Sequence, residues 1–263
     1  MISQDNHKPQ RDQLWTRLGK IKNRILDLFY GKLTFLTGPV ITYNGVKLDI
    51  SSEAVTEKIR ASIVRGVYEQ GEQKLIAEYI NPGDNVIELG GGLGFIGAFT
   101  NIRLSEKTTH LVIEANPRLR EVINQTRELN KADFELISKA YHPTDKKVNF
   151  YLHPHFWSNS TVSDTGEAID VETVNLQQLL DEYSLENFSL IVDIEGAEVG
   201  LMEEMDVLES HCKLLVVEFH DTKSEHQSVA DEIRKFRTLL EQSPFKRVEN
   251  DETKGVYINT QLK

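Results

Sequence analysis

Three acidic side chains and one histidine follow two apolar runs and suggest a catalytic cluster. The runs are Leu190-Ile-Val-Asp-Ile-Glu-Gly-Ala-Glu198 and Leu214-Leu-Val-Val-Glu-Phe-His220. Asp193 and Glu195 would lie on the same side of the backbone if the chain stays extended, because side chains alternate along a strand. Asp193 and His220 are candidate general bases, His220 because the unperturbed pKa of histidine lies near neutrality. Glu195 is the third candidate catalytic residue, suited to binding substrate hydroxyls.

A glycine-rich loop directly follows the apolar run Val86-Ile-Glu-Leu89 and indicates a binding site for a nucleoside-type cofactor. Glycines at this position allow a tight turn and let the backbone approach a ligand at a helix N-terminus. Gly90, Gly92 and Gly94 form Gly-x-Gly-x-Gly, the pattern of methyltransferases that use S-adenosylmethionine. Gly92, Gly94 and Gly97 instead form Gly-x-Gly-x-x-Gly, the dinucleotide fingerprint. The glycines alone leave both cofactors open.

Acidic residues near this loop favour S-adenosylmethionine over NAD. Glu88 precedes the turn, where a carboxylate would repel a pyrophosphate but suits the ammonium of a methionine moiety. Glu114 ends the next apolar run and could accept hydrogen bonds from ribose hydroxyls in either cofactor class. The expected cofactor-binding residues are therefore Glu88, Gly90, Gly92, Gly94, Glu114, Ala115, Asn116, Ala140 and Asp193. An NAD-dependent oxidoreductase is the alternative enzyme.

Repeated strand and helix patterns must position these residues. The pattern predicts buried parallel strands whose carboxyl ends carry the ligand site, with two paired strands at the end of the chain. The predicted strands are Val86–Leu89, Leu111–Glu114, Phe134–Ile137, Leu190–Asp193 and Leu214–Phe219, with a further strand near Val148–Tyr151. Asn44-Gly45 predicts a hairpin within Val40–Leu48, and helices are expected over residues 53–65, 71–80, 117–130 and 226–242. The fold class is a doubly wound α/β sheet.

Together these motifs resemble one known family. Asp193-x-Glu195-Gly196-x-Glu198, the run Val216-Val-Glu-Phe-His220 and the loop Glu88 to Gly94 are similar to those of the FkbM-type S-adenosylmethionine-dependent methyltransferases. The resemblance implies a Rossmann-like, class I methyltransferase domain with a mostly parallel seven-stranded sheet and a C-terminal antiparallel hairpin. It also implies methylation of a hydroxyl, often on a sugar or secondary metabolite. Glu72, within Tyr68-Glu-Gln-Gly-Glu72, is a possible cofactor contact on that match alone.

Composition excludes several other classes. The chain has 263 residues, a net charge of −11 and a single cysteine, Cys212. One cysteine cannot form an internal disulfide or a cysteine-based zinc cluster. The acidic total argues against nucleic-acid binding, which needs clustered Lys and Arg. A hard cation held by Asp193, Glu195 and Glu198 is possible but not favoured, because spacing alone does not define a ligand geometry.

The first residues differ from the rest in charge. Seven of the first 35 residues are Lys or Arg, and apolar residues at helical spacing predict a basic amphipathic helix over residues 12–30. This helix could serve self-association or peripheral contact with an anionic membrane. We expect an appendage over residues 1–50, a Rossmann-like domain over 51–263, and a cytoplasmic location, either free or peripheral at the membrane. A non-catalytic binding module with a docking helix is the alternative from another functional class.

Overall fold

The computed structural model describes residues 38–152, 167–220, 227–250 and 253–262. The helix predicted over residues 12–30 lies outside these ranges, as does most of the expected appendage, so both stay predictions. Among the residues that the structure describes, no helix is both long enough and apolar enough to cross a lipid bilayer.

A seven-stranded sheet forms the centre of the molecule, in the order β11-β12-β10-β9-β3-β4-β5. Neighbouring strands from β5 to β10 are parallel, and the C-terminal hairpin β11-β12 adds the antiparallel pairs. Strands β3, β4 and β9 are buried on both faces, which explains their continuous apolar sequences. The strands of this sheet are β3 (Val86–Leu89), β4 (His110–Ile113), β5 (Glu135–Ile137), β9 (Phe188–Val192), β10 (Cys212–Glu218), β11 (Phe245–Asn250) and β12 (Lys254–Asn259).

Helices cover both faces of this sheet and follow its strands along the chain. They are α1 (Glu57–Val64), α2 (Gln70–Tyr79), α3 (Phe95–Asn101), α4 (Arg120–Asn130), α5 (Leu176–Tyr183), α6 (Met205–His211) and α7 (Gln227–Gln242), with 3₁₀ segments at Pro117–Leu119 and Ala197–Glu204. Two apolar clusters, one on each side of the sheet, hold the layers together. The predicted doubly wound, Rossmann-like architecture with a terminal antiparallel hairpin is confirmed.

The predicted strand bounds agree with the structure to within two residues. Strands β4 and β9 each end one residue earlier than predicted, so Glu114 and Asp193 lie directly after their strands. The helix expected over residues 53–65 begins only at Glu57, because the Thr56 side chain caps it by accepting from the Ile59 N–H. Sequence patterns locate buried strands well and helix ends less precisely.

A second, three-stranded sheet was not predicted in full. Only a strand near residues 148–151 was expected from the sequence. The sheet has the order β6-β8-β7, and its strands are β6 (Ala140–Tyr141), β7 (Lys147–Leu152) and β8 (Glu167–Val174). It packs through a small apolar cluster that includes Ala140 and Phe150. Since Ala140, Tyr141 and Phe150 also face the central cavity described below, this sheet supplies one of its walls.

The predicted N-terminal hairpin is present as β1 (Val40–Tyr43) and β2 (Val46–Asp49), with positive φ at Asn44 and Gly45. It packs on the main body, where Val46 and Leu48 join an apolar cluster that includes Val86 and Val112. Asn130 at the end of α4 bonds to both the backbone N–H and carbonyl of Lys47. The hairpin is thus attached through core packing and hydrogen bonds. A division of the chain at residue 50 stays a prediction.

Candidate active site

The central cavity lies at the carboxyl ends of β3, β4 and β9, beside the point where the strand order reverses. Ligands bind at this position in open α/β sheets. The cavity is lined by Tyr68, Glu69, Glu72, Glu88, Leu89, Gly90, Gly91, Gly92, Leu93, Phe95, Ile96, Ile113, Glu114, Ala115, Leu119, Lys139, Ala140, Tyr141, Phe150, Ile191, Asp193, Ile194, Glu195 and Ala197. Six of these residues are acidic.

Most predicted cofactor-binding residues line this cavity, and two do not. Glu72, Glu88, Gly90, Gly92, Glu114, Ala115, Ala140 and Asp193 belong to its lining. Gly94 instead forms the N-cap of α3 with φ 74°, and its Cα packs closely against the backbone of Ile123. Asn116 caps the 3₁₀ segment Pro117–Leu119 by accepting from the Arg118 N–H. Both residues shape the loops that surround the cavity but do not line it.

Gly90 lies where two loops approach each other closely. Its φ is 99°, and a Cβ built there would lie 1.9 Å from the Asp193 carbonyl oxygen. The Asp193 N–H also donates to the Leu89 carbonyl at 2.9 Å. A side chain at position 90 is therefore excluded by both conformation and space. The glycine-rich loop and the loop after β9 are held in direct backbone contact.

Gly92 and Gly97 serve different purposes, which bears on the two glycine patterns in the sequence. A Cβ at Gly92 would have no heavy atom of the other described residues within 4 Å, apart from its chain neighbours, and its backbone φ is 50°. Gly92 therefore presents open backbone to the cavity. Gly97 lies within α3, where a Cβ would approach Val112 and Phe134 at 3.1 and 3.3 Å. It allows close helix–sheet packing.

Glu114 organises the backbone around the cavity. One carboxylate oxygen accepts from the Gly92 N–H at 2.9 Å, and the other accepts from the Asn116 N–H at 2.7 Å. Burial raises the pKa of Glu114 to about 6, against the lowering effect of these hydrogen bonds. Each carboxylate oxygen has a second lone pair, so Glu114 can still accept hydrogen bonds from ligand hydroxyls.

Glu88 is almost fully buried at the base of the cavity, and neither of its oxygens has a hydrogen-bond partner among the described residues. The His110 Nε2 lies 3.8 Å from one oxygen, too far for a hydrogen bond. Burial, with the charges of Asp193 and Glu114, raises the pKa of Glu88 well above its usual range. A buried acid without partners is costly unless a ligand satisfies it. A cationic or hydrogen-bond-donating group would fit this position.

The acidic cluster after β9 converges on His220. The Nε2 atom of His220 lies 3.4 Å from an Asp193 oxygen and 3.6 Å from a Glu195 oxygen. On the other side of the ring, Nδ1 forms a hydrogen bond with Glu198, which is fully buried. The three residues expected to form a catalytic cluster therefore lie together, with Glu198 fixing the orientation of the ring. Whether each takes part in a reaction stays a prediction.

The physical reason first used to pair Asp193 with Glu195 does not apply in the folded chain. Strand β9 ends at Val192, and Glu195 adopts a left-handed conformation with φ 48°, followed by Gly196 at φ 103°. The backbone is thus not extended here, and strand alternation does not place these side chains. A turn brings both carboxylates to the same imidazole.

The environment of His220 also changes its protonation. Burial alone would lower its pKa, but the hydrogen bond to Glu198 and the charges of Glu198, Asp193 and Glu195 raise it to about 9. His220 is therefore an imidazolium at neutral pH, and the ordinary histidine pKa used to select it as a base does not hold. Its charge balances the surrounding carboxylates.

This raised pKa predicts a stability change in alkaline solution. Because the folded state holds the proton up to pH 9 and the unfolded state releases it near 6.5, stability should fall as pH rises between these values. The free energy of unfolding should decrease by about 3 kcal/mol over this range. Urea unfolding of wild type and His220→Gln from pH 6 to 10 measures it, and only the wild type should show this component. His211→Gln, whose ring contacts the Glu186 carbonyl, is the control. Parallel curves for wild type and His220→Gln would contradict the prediction.

Asp193, Glu195 and His220 each also offer one atom that could bind a metal, and these atoms lie within 4.8 Å of one another. The sequence suggests Asp193, Glu195 and Glu198 as ligands of a possible but not favoured hard cation, whereas in the structure the Glu198 carboxylate bonds to the Nδ1 atom of His220. The imidazolium already supplies a positive charge between the two carboxylates. The cluster therefore carries a balancing positive charge of its own.

Lys254 is a charged residue near the cavity that sequence analysis missed. Its ammonium pairs with Glu72 and, at 2.5 Å, with Glu218. Glu218 at the end of β10 pairs with this lysine and does not belong to the cavity lining. The only signal in the sequence would have been the strand pairing, which places Lys254 opposite Glu218.

Comparison with known proteins identifies the family but adds little on the substrate. No curated protein sequence matches significantly. Similar solved structures include an O-methyltransferase from Bacillus cereus in complex with S-adenosylhomocysteine (13% identity, 72% of this chain and 81% of that chain, TM-score 0.44). TomG from Streptomyces achromogenes, an O-methyltransferase of tomaymycin synthesis, is 11% identical over 72% and 80% of the chains, with a TM-score of 0.45. An rRNA methylase from Streptococcus thermophilus is 14% identical over 72% and 94%, also with a TM-score of 0.45.

Similarity at this level carries no information on substrates. The family model is more specific: the methyltransferase FkbM domain matches residues 90–242, which is more than half of the chain. The matched segment contains the glycine-rich loop from Gly90 onward, Glu114 and the Asp193–His220 cluster. It settles the choice between the two glycine patterns in favour of S-adenosylmethionine. The chain belongs to the FkbM family of S-adenosylmethionine-dependent methyltransferases.

Proposed function

We propose that this enzyme methylates a hydroxyl group of a sugar or another small polar metabolite, with Asp193 as the general base. The observation that carries the proposal is the position of Asp193, which lines the cavity half-buried and faces the His220 imidazolium. An alcohol is a poor nucleophile at neutral pH, so methylation needs a group that accepts its proton. Asp193 and Glu195 both line the cavity beside His220, and Asp193 is the closer of the two to the imidazolium, at 3.4 Å against 3.6 Å.

The environment of Asp193 suits this role. Burial and the neighbouring charges of Glu218 and Glu198 raise its pKa, while His220 and Lys254 oppose the rise. A carboxylate with a raised pKa is a stronger proton acceptor at physiological pH. In the proposed step, the proton leaves the acceptor oxygen for a carboxylate oxygen of Asp193.

The surrounding groups support Asp193 through position and charge. His220 holds the carboxylates of Asp193 and Glu195, and Glu198 fixes the imidazole from behind. These contacts keep the base in one orientation. Correct positioning of the reacting groups supplies much of the rate gain of a displacement reaction. Glu195 lines the cavity, and its proposed role is to accept a hydrogen bond from another hydroxyl of the acceptor.

Residues on the other side of the cavity fit S-adenosylmethionine. The unpartnered Glu88 carboxyl suits the ammonium of the methionine part, and Glu114 suits the ribose hydroxyls. Gly90 and Gly92 provide close backbone approach, while Ala115 and Ala140 add small wall residues. When bound, the cofactor supplies an electrophilic methyl group on a sulfonium. Glu88, Glu114 and the backbone of Gly90 and Gly92 would hold and orient it.

The charge of the cavity supports a neutral or cationic acceptor over a nucleic acid. Among the described residues that line it, six are acidic and Lys139 is the only basic one. A polyanionic backbone would be repelled, since such ligands need clustered Lys and Arg. We therefore propose that nucleic acids are not substrates of this enzyme.

Incubation of the full chain with S-adenosylmethionine and a panel of compounds tests this function. The panel contains neutral sugars, polyols, amino sugars, small polyhydroxylated metabolites and a structured RNA. Mass spectrometry should detect the gain of one methyl group on a hydroxyl oxygen of at least one small compound. Methylation of the RNA, or of a nitrogen in the small compounds, would contradict the proposal.

A further inference from the structure

Residues 68–72, called the lip here, form one wall of the cavity through Tyr68, Glu69 and Glu72. Glu69 is the N-cap of α2 and has a left-handed backbone with φ 48°. A non-glycine residue pays an energetic cost in this region and keeps it only where its surroundings hold it in place. The lip therefore needs anchors.

One anchor comes from the N-terminal hairpin. The Tyr43 hydroxyl donates to the Tyr68 carbonyl at 3.0 Å, and the Gln73 side-chain amide donates to the same carbonyl at 2.6 Å. The Gln73 amide also donates to the Tyr43 hydroxyl at 3.1 Å. These contacts fix the first residue of the lip.

The second anchor is Lys254, at the other end of the lip. Its side chain is only 17% exposed, and its ammonium lies between Glu72 on α2 and Glu218 at the end of β10. The interaction joins a helix to the last residue of a central strand. Because the pair is largely removed from water, loss of the lysine leaves uncompensated buried charge and is costly.

Gly71 leaves the space that Lys254 occupies. A Cβ built at Gly71 would lie 2.5 Å from the Lys254 Cε and 3.1 Å from its Cδ. The lysine chain thus crosses α2 directly over Gly71 before it reaches Glu72. The position of Lys254 therefore depends on the absence of a side chain at Gly71 as well as on the carboxylates of Glu72 and Glu218.

We propose that Lys254 is a positioning residue that ties the lip to the central sheet and so keeps the cavity in the shape that binds the cofactor. Lys254 acts through Glu72 and is itself not part of the cavity lining. The inference rests on the cavity being the cofactor site, as in the proposed function, and is independent of the acceptor. Both anchors of the lip, Tyr43 and Lys254, lie outside the segment matched by the family model.

Calorimetric titration of the full chain with S-adenosylhomocysteine tests the role of Lys254. Lys254→Met keeps the chain length and removes the charge. If the lip of this variant adopts the binding-competent position about one tenth of the time, the apparent affinity for S-adenosylhomocysteine falls about tenfold. Lys254→Arg keeps the cation and should restore affinity to within about threefold of wild type. The inference would be overturned if the wild type binds S-adenosylhomocysteine and Lys254→Met binds it equally well.

Gly71→Ala provides the second variant, because it displaces the ammonium without removing any charge. The obstructed atoms belong to a flexible side chain, so we expect the fold to survive the change. Affinity should fall as in Lys254→Met, and the double variant should be no weaker than Lys254→Met alone, since both changes break one interaction. Additive losses, or a Gly71→Ala variant that binds like wild type, would contradict a positioning role.

Lys213→Met is the matched control. Lys213 lies on β10, the strand that ends with Glu218, and pairs with the buried Asp84 at 3.5 Å near the opposite end of that strand. Its affinity should stay within about twofold of wild type, because the site is distant. Equal losses in both lysine variants would indicate general destabilisation and overturn the inference. Failure of the wild type to bind S-adenosylhomocysteine would instead reject the cavity as the cofactor site.

Discussion

Replacement of Asp193 by Asn should reduce methyl transfer by about three orders of magnitude, within the range typical of a lost general base. The amide keeps the size of the side chain but cannot take the proton of an acceptor hydroxyl. Affinity for S-adenosylhomocysteine should change by less than about threefold, because binding of this product does not need a base. Single-turnover rates with the acceptor found in the panel, together with calorimetry, measure the two effects separately.

The control for this variant is Asp84→Asn. Asp84 also pairs with a cation, Lys213, but lies in the turn before β3, at the amino end of the sheet. Its replacement should leave methyl transfer near the wild-type rate. If Asp193→Asn loses affinity while the rate of bound enzyme is kept, Asp193 is a cofactor-binding residue and the proposed base must lie elsewhere. Retained turnover in Asp193→Asn would reject the assignment as well.

Replacement of Glu114 by Ala should weaken S-adenosylhomocysteine binding by about 100-fold. The change removes two hydrogen bonds to backbone N–H groups, at Gly92 and Asn116, together with the acceptors proposed for the ribose. Hydrogen bonds to charged groups contribute about 1.5–3 kcal/mol each, so the loss of the two proposed to the ribose hydroxyls suffices for this factor, while the bonds to Gly92 and Asn116 hold the loop in its binding shape. Calorimetric titration of wild type and variant gives the ratio of dissociation constants directly.

Glu121→Ala serves as the comparison, because this exposed acid lies on α4 outside the cavity lining. Its affinity should match that of the wild type. Equal binding by Glu114→Ala would mean that the cofactor lies elsewhere. Thermal unfolding of the unliganded variants separates a local loss of contacts from a loss of the fold.

The parts of the site that are set by short sequence patterns could be predicted. Strand β3 has the predicted bounds, and Glu88 therefore lies at the base of the cavity as its position before the turn indicated. Glu114 was placed by the same reasoning, since it follows a neighbouring parallel strand. In these cases a buried strand, a tight turn and one acidic residue are sufficient, because the strand ends define the cavity edge.

Long-range and turn geometry could not be predicted in this way. Lys254 reaches Glu72 only after a hairpin has brought the end of the chain beside β10. Glu195 was assigned correctly to the neighbourhood of Asp193 but for the wrong reason, since a left-handed turn replaces the extended backbone. The protonation of His220 depends on three carboxylates from one loop, which its ordinary pKa does not include.

The contact between Gly90 and the Asp193 carbonyl has a consequence for how such an enzyme can change over time. The two loops share one backbone contact, so neither can be remodelled without the other. New acceptor preferences must then arise in the other walls of the cavity, such as the small sheet that carries Tyr141 and Phe150. Exchange of that sheet between relatives is the route by which an engineer could alter the substrate while keeping the cofactor and the proposed base in register.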